Sequence, residues 1–361
     1  MKQIMIYAYT NFNFGDDLFI KILCERYPKT KFILYAPHEY NLTLKEINNI
    51  SIIPSDTIIN RGINFLLKRF KINYSIQEQI SKSCDAGVNI GGSLFIQGEN
   101  WERRIQYNKN LRIKDKPFYL LGANFGPYTD LQFYQEYKEL FKGYTDICFR
   151  ERYSYEIFND LSNVRMASDI IFQLKKKNIK NEESTIVISV IKPSFRKNLN
   201  EYDDIYYKKI KDITLHFIER GYKVTLMSFC ENEGDKEAVD AIMSLIPKVN
   251  LHKVNSHLYK LNIEETLNVI AKSSFVIATR FHSMILGWVY NKPVYPIVYS
   301  SKMTNVMKDV SFDGSYVDIK NMYALKPEEV FESMTSNLID VSKQAKNAEK
   351  HFEILDNFLL K

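Results

Sequence analysis

SFVIATRFHSMILGWVYNKPVYPIVYSSK, residues 274–302, decides the fold. SFVIAT (274–279) is a continuous apolar run bounded by polar residues, as expected for a strand buried on both faces. SMILGWVYN (283–291) follows with the length of a short helix, and KPVYPIVY (292–299) is a second apolar run. Strand, helix, strand within so few residues predicts a βαβ unit on a parallel sheet. In such a unit the residues just after a strand stand at the carboxyl edge of the sheet, where open α/β proteins bind ligands. Those residues here are Arg280 and His282 after one strand, and Ser300, Ser301 and Lys302 after the next.

The same alternation extends in both directions. STIVISVI (184–191), KVTLMSF (223–229), and the helical spans 202–221, 234–246 and 262–273 complete a carboxyl-terminal α/β domain, 184–325. Gly221 closes the first of these helices, because glycine tolerates the left-handed backbone just past a helix end. Upstream, residues 3–9, 31–37, 50–54, 85–92, 116–124, 146–151 and 163–168 predict seven strands, with a helix over about Asp17–Tyr27, in an amino-terminal domain of residues 1–174. The charged stretch 175–184 has no apolar period and is expected as a linker. Residues 326–361 are expected to be helical and to pack back on the first domain. The predicted fold class is α/β, two doubly wound Rossmann-like domains in a GT-B-like arrangement with an interdomain cleft.

Composition narrows the function classes. A chain of 361 residues suits two domains with separate cores. The balance of 49 basic against 43 acidic residues gives +6, which favours anionic small molecules or a membrane surface without demanding either. No helix-turn-helix, zinc-finger or RNP-like pattern accompanies a basic stripe, so nucleic acid is not expected as a partner. Four scattered cysteines, Cys24, Cys84, Cys148 and Cys230, lack metal-ligand spacing and are expected as reduced core thiols, with no metal site. The first residues lack the apolar core and cleavage site of a signal peptide, and no apolar run nears ~18 residues. A cytoplasmic protein is expected. Residues 63–72, INFLLKRFKI, interleave apolar and basic positions, and either rest peripherally on an anionic membrane or form an ordinary domain helix.

Several strand exits carry chemistry-bearing residues. A guanidinium at Arg280 beside a helix N-terminus, with Ser283 as the expected cap, makes a bidentate anion site for phosphate or carboxylate. His282 can move protons near neutral pH. The alternatives are a core ion pair for Arg280 and a buried hydrogen bond for His282. Ser301 is expected to cap the helix beginning near Lys302, giving a second anion-receptive terminus. In NFGDD (13–17), Gly15 allows a tight turn, one of Asp16 and Asp17 caps the helix, and the other faces the cleft to accept from a sugar hydroxyl. Gly91, Gly92 and Ser93 allow a ligand to approach backbone amides. Lys192 and Arg196 add positive charge after the first strand of the second domain, while Arg150, Arg152 and Asp169 line the cleft or form ion pairs.

The ordered set NFGDD (13–17), GGSLF (91–95), GANFGP (122–127), RERYS (150–154), SDIIF (168–172) and RFHSMIL…KPV…YSSK (280–302) resembles the polysaccharide pyruvyl transferase family. The resemblance implies transfer of the pyruvyl group of phosphoenolpyruvate to two hydroxyls of a glycan sugar, giving a cyclic ketal and phosphate, in bacterial surface polysaccharide biosynthesis. It implies Arg280, Ser283, Ser301, Lys302 and Lys192 as donor-binding residues. His282 would be the proton-handling group, and Asp16 would activate the acceptor hydroxyl. Gly15, Asp17, Gly91, Gly92 and Ser93 would form the acceptor-side wall. The acceptor would be a glycan or a lipid-linked oligosaccharide, and no cofactor is required because the donor carries its own leaving group. One departure stands out: Val190-Ile191-Lys192 occupies the place where related sequences carry an arginine, and lysine does not reproduce a bidentate contact. A GT-B glycosyltransferase using a nucleotide sugar, and a carbohydrate-binding relative without turnover, are the alternative functions.

Overall fold

The computed structural model describes residues 1–58, 60, 76–112, 115–177, 179, 182 and 184–360. Residues 63–72, read above as an amphipathic segment, lie outside them, as does part of the charged stretch 175–184. The chain divides into two compact units. Unit 1 comprises Met1–Thr10, Asp16–Gln173 and Lys346–Lys361; unit 2 comprises Asn11–Gly15 and Leu174–Ala345.

Unit 1 is built on seven parallel strands: β1 (Gln3–Tyr7), β2 (Lys31–Ala36), β3 (Ile50–Pro54), β4 (Ala86–Ile90), β5 (Phe118–Ala123), β6 (Asp146–Phe149) and β7 (Val164–Met166), in the order β3-β2-β1-β4-β5-β6-β7. Central β1 pairs on both sides, Ile4 with Phe32 of β2 and with Ala86 of β4. All five residues of β4 and all six of β5 are buried, which is why these strands are continuous apolar runs and not alternating ones. Helices α1 (Phe14–Arg26), α2 (Tyr40–Thr43), α3 (Ile76–Lys82), α4 (Trp101–Leu111), α5 (Leu131–Lys142) and α6 (Arg152–Phe158) lie between the strands. Much of the chain's aromatic content packs here: Phe125 makes ring contacts with Phe95, Phe133, Tyr137, Phe141 and Phe158.

Unit 2 repeats the plan with β8 (Thr185–Ser189), β9 (Lys223–Ser228), β10 (Val254–Leu258), β11 (Phe275–Ala278), β12 (Val294–Val298) and β13 (Val317–Asp318), ordered β10-β9-β8-β11-β12-β13. Its helices are α7 (Asp203–Glu219), α8 (Asp235–Leu245), α9 (Ile263–Lys272), α10 (Phe281–Val289), α11 (Ser301–Asp309), α12 (Pro327–Glu332) and α13 (Ser342–Ala348), the last running into unit 1. In each sheet the strand order reverses once, between β1 and β4 and between β8 and β11. A reversal leaves a crevice at the carboxyl ends of the two strands, because their following connections depart to opposite faces. Arg280 and His282 follow β11, so they stand at the reversal of unit 2.

The strands and helices expected from the sequence form with small shifts at their ends, and three features differ. Strands β10 and β13 were not expected: VNSHL carries exposed Asn255 and Ser256, and β13 is two residues long, so neither shows an apolar run. Residues 326–361 are not one helical tract. The break after α12 contains Asn337, fully buried, whose amide donates to the carbonyls of Val294 (2.8 Å) and Ser315 (2.7 Å). Beyond α13, a 3₁₀ turn (Glu349–Phe352) and α14 (Glu353–Leu359) complete unit 1. There Arg26 and Tyr27 both bond the Asp356 carboxylate, and Arg165 donates to the His351 carbonyl (2.8 Å).

Candidate active site

In unit 2, Ser189 ends β8 with its side chain fully buried, and its hydroxyl accepts from the N–H groups of Thr279 and Arg280, both at 3.2 Å. That clamp fixes where the chain leaves β11. Arg280 takes extended backbone (φ −83°, ψ 133°) and is itself the N-cap of α10. Ser283, expected as the cap, is instead the third residue of the helix; the turn out of the strand is completed at Arg280, so the helix starts two residues earlier. The Ser283 hydroxyl is fully buried and finds no hydrogen-bond partner among the described residues. His282 is half-buried in the first turn of α10, among amides with no helical acceptor. Its ring lies directly on Gly15: a Cβ there would stand 1.6 Å from Nδ1 of His282. Gly15 is therefore required for close approach of the imidazole.

The segment carrying Gly15 belongs to unit 2, not to the first domain as expected. Phe14 donates its N–H to the Phe229 carbonyl (3.0 Å) and packs against the rings of Phe229 and Tyr259. Asn13 performs the capping expected of an aspartate, accepting from the Gly15 N–H at 3.1 Å. Helix α1 thus begins at Phe14, and Asp16 and Asp17 fall inside its first turn.

A charge cluster surrounds Arg280. Its two terminal nitrogens donate separately to Glu233 and Asp235, and the residue is only 6% exposed. Asp235, fully buried, also accepts from the N–H groups of Phe229 (2.8 Å) and Cys230 (3.0 Å). Glu233 is shared with the Arg196 guanidinium. Burial alone would raise the Glu233 carboxyl, but Arg280 and Arg196 outweigh it and hold it down at about 2. Asp235 is pushed up, since burial there exceeds the pull of Arg280. Burial would lower the Arg280 guanidinium, yet the two carboxylates carry it well above its ordinary range. The core ion pair weighed for Arg280 is what forms.

Further polar and charged groups sit around this pair. Tyr299, one residue past β12, has the Arg196 guanidinium 5.7 Å and the Lys302 ammonium 5.9 Å from its ring centroid. Lys302 also stands 5.5 Å from the Phe281 ring. Ser300, not Ser301, is the N-cap of α11; its side chain makes no cap bond, and its buried hydroxyl has no partner among the described residues. Strands β11 and β12 are neighbours, Ala278 paired with Pro296, so both helix N-termini open at the same edge. Three cations against two carboxylates leave one net positive charge, to which the two helix ends add. Such an edge can receive an anion while holding an imidazole beside it. Lys192 is not part of it: its ammonium pairs with Glu237 on α8. Arg196, from the same strand exit, reaches the cluster instead.

Unit 1 has its own edge. Arg150 is buried beneath Gly92, where a Cβ would meet the guanidinium at 2.6 Å, and it donates to Asp169 (3.0 Å) and Asn124 (2.6 Å). Ser93 also donates to Asn124 (3.3 Å). The Asp16 carboxylate approaches the Gly92 N–H at 3.5 Å, beside Gly91. Asp17, expected in the acceptor-side wall, is fully buried and accepts from the Tyr40 hydroxyl at 2.8 Å, because the inward face of α1 carries it into the core. Arg152 is exposed at the start of α6. His38, Glu39 and Asp56 also converge in this unit, with a 2.6 Å contact between His38 and Asp56 that accounts for the grouping. The four cysteines are free and buried.

Glu233, Asp235, Asn13 and Ser189 were missed by sequence reasoning. The acidic turn ENEGD (231–235) at the exit of KVTLMSF was the available signal: a carboxylate at a carboxyl edge shared with an arginine.

Two parallel sheets of doubly wound order, each with a reversal, define a GT-B-like α/β protein. The chain belongs to the polysaccharide pyruvyl transferase family, whose model matches residues 13–301. It is 22% identical over 299 residues to the amylovoran biosynthesis protein AmsJ of Erwinia amylovora, covering 76% of this chain and 71% of that one. Among solved structures it is similar to a UDP-GlcNAc 2-epimerase from Neisseria meningitidis, with a TM-score of 0.59, 10% identity and both chains fully covered. It is also similar to the ADP-heptose heptosyltransferase II of E. coli, with a TM-score of 0.50, 14% identity and 93% and 98% covered. At these identities the likeness is one of fold. No helix among the described residues is long and apolar enough to cross a membrane.

Proposed function

We propose that the protein transfers the pyruvyl group of phosphoenolpyruvate to two hydroxyls of a glycan sugar, in the making of an exopolysaccharide. The family supports this reading, and so does the name of the amylovoran relative. The observation that carries it is the His282 imidazole seated on Gly15 in the first turn of α10, at the sheet edge where α11 also begins and where the cations Arg196 and Lys302 flank Tyr299. Phosphoenolpyruvate brings a phosphate, a carboxylate and a vinyl carbon that must be protonated; anion sites beside a proton donor match those needs.

In this mechanism His282 gives a proton to the methylene carbon. The adjacent carbon becomes oxocarbenium-like and is attacked by one sugar hydroxyl. The second hydroxyl then displaces phosphate, closing the ketal. Of the two hydroxyl protons released, one balances the new methyl group and the other leaves on phosphate. Lys302, Arg196, Ser283, Ser301 and the amides of α10 and α11 are the proposed phosphate and carboxylate contacts. Arg280 acts through the carboxylates it holds, supplying positive charge at the strand exit. Asp16, beside the Gly92 amide, is proposed to accept from an acceptor hydroxyl. Neither a metal nor a redox cofactor has a role in this scheme, and a cytoplasmic location follows from the donor.

The test is incubation with phosphoenolpyruvate and a glycan bearing two neighbouring free hydroxyls, with phosphate release followed. Release that needs both substrates supports the proposal. Product formed only from a nucleotide sugar would replace it with glycosyl transfer. Binding of phosphoenolpyruvate with no product, across a panel of glycans, would favour a carbohydrate-binding relative.

A further inference from the structure

The YSSK turn holds a side chain to which neither the sequence nor the family resemblance gave a role. Tyr299 is half-buried one residue beyond β12, at the same edge as His282. Charged groups from four separate elements face it: Lys302 on α11, Arg196 after β8, Arg280 after β11, and Glu233 after β9. Two of the cations flank its ring, within 6 Å of the centroid, at 5.7 and 5.9 Å. This is unusual company for a structural phenol. The buried Tyr206 hydroxyl, by contrast, meets Thr279 and the Ile191 N–H, and that of Tyr40 meets Asp17.

We propose that Tyr299 is a second proton-transfer residue of this site, handing its proton to the phosphate oxygen as the carbon–oxygen bond to phosphate breaks. The inference rests on the pyruvyl-transfer reading and assigns it a division of labour. His282 protonates carbon in the first half of the reaction; Tyr299 protonates oxygen in the second. As phosphate leaves, the bridging oxygen takes the phenolic proton and the tyrosinate formed is held by Lys302 and Arg196. The proton lost by the second sugar hydroxyl restores the phenol, so the cycle closes without a further reagent. A phenol is suited to this step only if its anion is stabilised, and the surroundings do that. Burial would raise the Tyr299 hydroxyl, but Lys302, Arg196 and Arg280 together outweigh both burial and Glu233, so it ionises below the usual tyrosine range. Tyr119 and Tyr290, by contrast, are pushed up by burial to about 12.

Tyr299→Phe tests this, because it keeps the ring between the two cations and removes only the hydroxyl. With phosphoenolpyruvate and acceptor, kcat for phosphate release is expected to fall ~10²–10⁴-fold, the range for loss of a general acid. KM for phosphoenolpyruvate should change little. Independently of turnover, the ultraviolet titration difference between wild type and Tyr299→Phe should contain one tyrosine ionising ahead of the rest of the 24. An unchanged kcat overturns the proposal, and so does an effect confined to KM, which would make Tyr299 a binding contact. If wild type releases no phosphate at all, the parent reading has failed. In that case the titration still decides whether Tyr299 has the ionisation claimed for it.

Discussion

His282 and Gly15 depend on each other at the scale of single residues. A methyl group at position 15 would overlap the imidazole, so Gly15→Ala must displace the ring on which the proposed chemistry depends. Phosphate release by Gly15→Ala should fall by about the same ~10²–10⁴-fold as in His282→Ala, the range for a lost acid–base group. Kinetics of both variants beside a thermal melt check this; a Gly15→Ala protein with wild-type kcat would remove His282 from the mechanism. Arg280 makes a different prediction. Replacing it with alanine leaves the fully buried Asp235 without its cation, while Glu233 keeps Arg196, and breaking a buried pair in this way costs about 3–5 kcal/mol. Chemical denaturation should show that loss, so inactivity of Arg280→Ala cannot by itself be read as a lost ligand contact. The sequence marked Arg280 and His282 because both follow one apolar strand. It could not reveal that Arg280 is claimed by carboxylates 45 and 47 residues away, since that pairing is made by the order of strands and not by spacing along the chain.

Between residue and molecule, the elements set the electrostatics. The turn after β9 carries Glu233, whose carboxyl is lowered from 4.5 to about 2 by the two arginines despite its burial. A carboxyl with a depressed folded-state value stabilises the fold fully above its ordinary value, and that contribution is lost as pH falls from about 4.5 toward 2. Asp235, raised by burial, works in the opposite sense, so the informative quantity is a difference. The melting temperature of wild type should drop more steeply than that of Glu233→Gln between pH 5 and 3 on this account. Parallel slopes would mean that Glu233 is not held as described. Interior strands were legible because burial on both faces forces an unbroken apolar run, as in β4, β5 and β11. Edge strands β10 and β13 were not, because one side needs no such run. Helix starts shifted for a related reason: Asn13 and Arg280, not the aspartates or Ser283, occupy the capping positions, and only the strand exits determine that.

At the scale of the whole molecule, each unit borrows chain from the other end of the sequence. Asn11–Gly15 completes unit 2, and Lys346–Lys361 completes unit 1. The latter segment supplies Asp356 to Arg26 and Tyr27, and His351 to the Ser168 carbonyl at 2.8 Å. Ending the chain at Ala345 should therefore weaken amide-exchange protection in β1, β5 and β6 while sparing β8 and β11; uniform loss in both sheets would contradict the division into units. The doubly wound order of each sheet brings the strand exits of the YSSK, RFH and ENEGD segments to one edge of unit 2. The central claim is that this edge serves pyruvyl transfer, and mass spectrometry of the acceptor tests it most directly. After incubation with phosphoenolpyruvate, the glycan should gain the mass of one pyruvic acid less one water, and the gain should vanish in His282→Ala. An acceptor that gains a sugar from a nucleotide donor, and never this increment, would contradict the account.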